Sequence, residues 1–127
     1  MKTIKLLSIA ILSSLMIACG STESNSNNTS TEVTAKAEHS MIKVWGNCGM
    51  CKKTIETAIA DIDGLSKGEW DVEKKVLHVE FDASKTSVEK ISQAVAGSGY
   101  DTEFDTATKD AYNGLHSCCQ YQRTKGM

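Results

Sequence analysis

The sequence predicts an α+β fold, a ferredoxin-like βαββαβ sandwich over residues 41–105. Three observations predict it. Two stretches carry apolar residues at helical spacing, two alternating strands flank a short polar turn, and these units follow one another in the split βαβ order.

The elements are read in order. Residues 41–45 alternate as a half-buried strand with Ile42 and Val44 on one face, and Gly46-Asn47 breaks it. Residues 51–62 place Ile55, Ala58, Ile59 and Ile62 on one helical stripe, with Lys52, Lys53, Glu56 and Asp61 opposite and Asp63-Gly64 as the stop. Residues 65–72 and 76–82 form a hairpin around Glu73-Lys74-Lys75. Trp70 and Val72 face inward on its first strand, and Leu77, Val79 and Phe81 on its second. Thr86 with Glu89 three residues on reads as a capping box for the second helix. Val88, Ile91, Ala94 and Val95 are its apolar stripe, and Gly97 is its C-cap. Residues 100–104 are expected to close the sheet as a last strand.

Composition narrows the function. The 127 residues include 14 Lys and Arg against 16 Asp and Glu, for a net charge of -2. With no basic run in the chain, a dedicated nucleic-acid binder is excluded. Ahead of the predicted domain, Lys2 and Lys5 precede an apolar run through Ala18 that is too short for a membrane span, which needs about 20 residues. Residues 1–18 are therefore read as an export signal. Met16-Ile17-Ala18-Cys19 resembles a bacterial lipobox, with Met16 where leucine is usual, which makes Cys19 the expected lipidation site. Eleven of the fifteen residues 20–34 are Ser, Thr or Asn, so residues 19–40 are expected to be a disordered tether. The folded part is expected in the cell envelope, lipid-anchored and periplasm-facing, in an oxidising compartment.

Cys48-Gly49-Met50-Cys51 lies between the first strand and the first helix. Two thiols at this spacing converge on one soft ion or close a disulfide. The positive end of the helix, with Lys52 and Lys53 directly following, favours thiolate over thiol, and both chemistries need that acidity. A thiol–disulfide redox protein is the competing class, since Trp45, the cysteine pair and Lys52 echo a thioredoxin active site. Against it, two extra residues separate Trp45 from Cys48, the chain has no proline for the cis-proline of that fold, and the parallel βαβ unit is missing. Structural Zn(II) needs four ligands and this loop offers two, so Zn(II) is an alternative only if the C-terminal extension contributes the others.

Cys48-x-x-Cys51-x-x-x-Ile55-Glu56 on the first loop and helix of a βαββαβ unit resembles the heavy-metal-associated domain, which includes copper chaperones, modules of copper-exporting ATPases and the mercuric-ion-binding protein. The resemblance covers about half the chain. It implies that Cys48 and Cys51 are thiolate ligands of a soft ion, usually Cu(I), with Hg(II) as the alternative. It also implies that Ile55 packs beneath the loop and that Tyr100, after Gly99, sits near the metal loop. In place of the family's methionine two residues before the first cysteine, this sequence has Gly46, and Met50 lies between the cysteines instead. Met50 is read as a weak thioether ligand or as apolar packing.

Residues 106–127 form an extension the family does not supply, containing His116-Ser117-Cys118-Cys119. Adjacent cysteines close a strained ring if they bond each other. Cys118 and Cys119, with His116, are thus candidate additional ligands folding back toward Cys48 and Cys51. The alternatives are a packed segment or a longer-range disulfide. His78 on a solvent-facing strand position and His39 in the linker are read as spectators. No acid/base pair, phosphate loop or nucleophile set is present, so no enzyme is expected. The expected function is to bind a soft ion, carry or buffer it in the envelope, and hand it to a metal-transporting ATPase or another envelope metal-handling protein.

Overall fold

The computed structural model describes residues 36–124; the expected signal segment, its lipidation site Cys19 and most of the tether lie outside them. The elements are β1 (Ala37–Lys43), α1 (Gly49–Ile59), β2 (Leu65–Asp71), β3 (Val76–Asp82), α2 (Val88–Gly97), α3 (Lys109–Asn113) and a 3-10 turn (Ser117–Cys119). Both strand pairs are antiparallel and the sheet order is β1-β3-β2, with Ile42 opposite Leu77 and Trp70 opposite Leu77. The ferredoxin-like α+β fold is as expected. Helices α1 and α2 lie on one face, burying Cys51, Ile55 and Ile59 from the first and Ile91, Val95 and Ala96 from the second against Ile42, Trp70, Leu77, Val79 and Phe81. The alternation in β3 leaves Val76, His78 and Glu80 on the open face. No helix among the described residues is long and apolar enough to cross a membrane.

Several boundaries differ from the sequence reading. Strand β1 begins at Ala37, because Ala37 to Ser40 pair with Asp82 to Val79, so the tether ends earlier than residue 40 and His39 is a strand residue. Helix α1 starts at Gly49, two residues ahead of expectation, and stops at Ile59, where the Ile62–Ile59 turn and Gly64 at φ +89 lead into β2. The α2 cap is Ser87, whose hydroxyl accepts from the Lys90 N–H at 3.4 Å. Thr86 is turned into the interior and does not cap. Glu89 still serves the helix start: its own N–H, then the Ser87 hydroxyl, hold its carboxyl below the usual range. Ser98 rather than Gly97 is the C-cap, and the glycine in the left-handed region is Gly99, at φ +105.

The expected last strand shrinks to one antiparallel bridge, Val44 to Thr102. It is flanked by Trp45 N–H to Asp101 O at 3.0 Å and Glu103 N–H to Lys43 O at 3.0 Å. The Thr102 hydroxyl then accepts from the Phe104 and Asp105 N–H groups, at 3.1 and 2.8 Å, turning the chain away from the sheet. Beyond this turn the extension is built into the fold. Arg123 grips the Asp101 carboxylate through Nε at 3.0 Å and Nη2 at 2.7 Å, with both side chains buried. Tyr121 stacks on Tyr100, accepts from the Asp101 N–H at 2.6 Å and donates to Gly99 O at 3.2 Å.

Candidate metal centre

Cys48 is the N-cap of α1, in extended backbone, and Cys51 lies in the helix's first turn, so the cysteine spacing wraps both thiols around the helix start. Their sulfurs are 3.6 Å apart. Cys51 is fully buried and its sulfur accepts from the Asn47 N–H at 3.3 Å. The Cys48 thiol is pulled down to about 7, first by the Cys51 backbone N–H, then by the Cys51 thiol and the Met50 N–H. This is the anion preference of a helix N-terminus. Lys52 contributes less than the sequence implied. Its ammonium donates to Trp70 O at 3.0 Å and pairs with Glu56 at 3.1 Å, so it is committed to the β2 side.

The 3-10 turn of the extension comes back over this loop. The sulfurs of Cys48, Cys118 and Cys119 all lie within 4.8 Å of one another, and those of Cys118 and Cys119 are 3.9 Å apart. Cys51 adjoins this group through Cys48, at 3.6 Å, without belonging to the mutual set of three, so the sequence-predicted pair and the extension meet at Cys48. The Asn47 side-chain amide donates to Cys118 O at 3.4 Å, and Met50 Sδ is 3.9 Å from Cys118 Sγ, so both loops are tied together. Met50 itself is exposed. His116 does not join the group: it is exposed, and only its backbone oxygen takes part locally, accepting from the Cys119 N–H at 2.8 Å.

The thiols are not equivalent. Cys118 is exposed, whereas Cys119 is buried and its thiol is pushed up to about 12, mainly by that burial. Tyr100 is likewise buried beside Cys119 and Cys51, and desolvation drives its hydroxyl far above the usual phenol range. That hydroxyl has no hydrogen-bond partner among the described residues. It is a donor ready for a thiolate that appears when the thiols lose their protons.

Gly46 explains itself here. A Cβ at this position would stand 2.8 Å from Trp70 Cη2, so the indole of β2 fills the space beneath the loop. The residues that sequence reasoning passed over are Asn47, Asp101, Tyr121 and Arg123, which set the path of the extension. Their partners are 20 to 71 positions away, and no local pattern marks them.

Fold and site together define a soft-metal-binding module with its thiols on the β1–α1 loop. The profile of the heavy-metal-associated domain matches residues 47–101. The copper chaperone CopZ of Staphylococcus haemolyticus is 33% identical over 64 residues, which cover 50% of this chain and 94% of that protein. A solved CopZ metallochaperone is 32% identical with a TM-score of 0.50, over 51% of this chain and 98% of the other. Oxidized MerP from Ralstonia metallidurans is 34% identical, also with a TM-score of 0.50, over 53% and 94%. The chain belongs to the heavy-metal-associated domain family, whose relatives here are metal-binding proteins rather than enzymes. The Cys118–Cys119 pair lies outside the family match.

Proposed function

We propose that the protein binds Cu(I) through Cys48 and Cys51, with Cys118 and Cys119 closing over the same ion, and that it carries or buffers the ion in the cell envelope from a lipid anchor at Cys19. The observation that carries this reading is the convergence of the Cys48, Cys118 and Cys119 thiols at one helix start, with Cys51 beside Cys48. Thiolate donors select soft ions, and Cys48, already acidic, is the first to bind. Cys118 and Cys119 then raise the coordination beyond two and shield the ion. Transfer to a metal-transporting ATPase or another envelope metal-handling protein proceeds by ligand exchange. A thiolate of the acceptor forms a bond to the ion as one bond from this chain breaks, and the released thiolate takes up a proton. The ion keeps its oxidation state throughout.

An anaerobic Cu(I) titration of the full chain against a chromogenic competitor, beside the Cys118→Ser/Cys119→Ser variant, tests this. One tight equivalent in the native chain and weaker retention in the variant is the expected result. Equal affinity in both confines the site to Cys48 and Cys51 and removes the extension from it. Absence of tight Cu(I) in both, with tight Hg(II), moves the reading to mercuric-ion binding, which the likeness to MerP supports.

A further inference from the structure

We propose that the open face of the sheet carries a second metal site of different chemistry, in which the imidazoles of His39 and His78, with the carboxylates of Glu69 and Glu80, hold a divalent borderline ion such as Cu(II) or Zn(II). The strand register makes these four residues neighbours on one face of the sheet, and rotation of their side chains is what would gather their ligand atoms on an ion. His39 on β1 is opposite Glu80 on β3, and Glu69 on β2 is opposite His78 on β3. All four belong to the alternation that points away from the helices, whose inward partners are Ile42, Trp70, Leu77 and Val79. The site is therefore on the face of the sheet turned away from the helices, with only Lys52 of α1 reaching round the β2 edge to its rim.

The imidazoles already face one another. Their ring centroids are 6.0 Å apart with the planes tilted by 33°. An ion bound at about 2.0 to 2.1 Å from one nitrogen of each ring holds each centroid about 3.2 Å away, so centroids near 5 to 6 Å span tetrahedral to wide angles at a shared ion. A groove of about 470 Å³ lies over the pair. Its walls include Glu69, Asp71, Glu73 and Glu80 against Lys52 and Lys67. Glu69 faces two ammonium groups, Lys52 at 3.7 Å and Lys67 at 3.8 Å, but Lys52 lies closer to Glu56, at 3.1 Å, and exposed pairs of this kind contribute little, so a divalent ion can displace them. The balance of the groove is acidic and suits a cation. Two nitrogens and two carboxylate oxygens match Cu(II), Ni(II) and Zn(II), whereas the thiol site suits Cu(I) or Hg(II).

The test uses the full chain in which Cys48, Cys51, Cys118 and Cys119 are all serine, so that thiols neither bind nor reduce Cu(II). The expected result is one equivalent of Cu(II) whose electron paramagnetic resonance spectrum shows coupling to two imidazole nitrogens. Because even outer-shell partners of a metal are worth roughly 10 to 100-fold in affinity, His39→Ala or His78→Ala should weaken binding by at least about tenfold. His116→Ala should leave it unchanged. Should the serine variant not fold, retention on immobilised Ni(II) of the native chain with its thiols first saturated by Hg(II) reads the same pair, since the imidazoles are then the ligands left for Ni(II). Binding or retention that survives the double variant His39→Ala/His78→Ala, or that is lost with His116→Ala, overturns the proposal.

Discussion

At the scale of single residues, position 46 shows how one departure from a family pattern is compensated elsewhere. Gly46 is buried against the Trp70 ring, and Trp70 also donates from Nε1 to Val44 O at 3.3 Å. Gly46→Met overpacks this contact and is expected to destabilise the metal-free protein by about 1 to 3 kcal/mol. Trp70→Leu opens the space, so the double variant should be less damaged than the two losses added together, with a coupling of at least about 0.5 kcal/mol in urea unfolding. Additive losses would show that the indole does not occupy the methionine's place. Tyr100 gives a prediction of mixed sign. Among the described residues its buried hydroxyl has no hydrogen-bond partner, so Tyr100→Phe is expected to stabilise the metal-free protein by about 1 kcal/mol. The same change removes a donor beside Cys119 and Cys51 and is expected to weaken Cu(I) binding by about tenfold. A merely structural tyrosine would move stability and leave affinity alone.

At the scale of elements, what the sequence discloses is what repeats locally. The apolar spacing of Ile55 and Ile59, and of Ile91 and Val95, marks both helices, and the alternation of Leu77, Val79 and Phe81 marks β3, because each pattern is set by a face that must be buried. Ends are set by single contacts and are less legible. Thr86 and Ser87 are both good caps by type, and only the burial of Thr86 decides for Ser87. The last strand fails for a similar reason, as the Thr102 hydroxyl captures two N–H groups that would otherwise run on. The extension is the extreme case. Its course is fixed by the Asp101–Arg123 ion pair, by Tyr121 between Tyr100 and Tyr112, and by Asn47 holding Cys118, all of them long-range. Arg123→Met leaves the Asp101 carboxylate buried without its counter-charge, and breaking such a pair costs about 3 to 5 kcal/mol. The variant is expected to lower the unfolding midpoint in urea sharply. In metal-loaded protein it should also speed Cu(I) loss to a competitor, because the second thiol pair loses its anchor. A variant with the native release rate would show that Cys118 and Cys119 hold their place without the clamp.

At the scale of the whole molecule, the site couples proton, metal and fold. From an ordinary value of 9.0, Cys48 is lowered to about 7 on folding and Cys119 is raised to about 12. The lowered group contributes stability that is present above pH 9 and is lost as pH falls through about 7. The raised group contributes stability that is present below pH 9 and is lost as pH rises toward 12. The metal-free protein is therefore least stressed by its thiols near pH 9, and Cys48→Ser should flatten the pH dependence of Tm between 7 and 9. The two cysteine pairs of the sequence look alike as motifs, and this difference between them arises only from where the fold places each thiol. It has a direct consequence for metal binding at pH 8, where Cys48 is already thiolate and Cys119 still holds its proton. Ligation by Cys119 must expel that proton, so calorimetry in buffers of different ionisation enthalpy should find about one proton fewer released per ion in Cys119→Ser than in the native chain. Equal proton counts would mean that Cys119 stays protonated beside the ion, and that the ion is held without it.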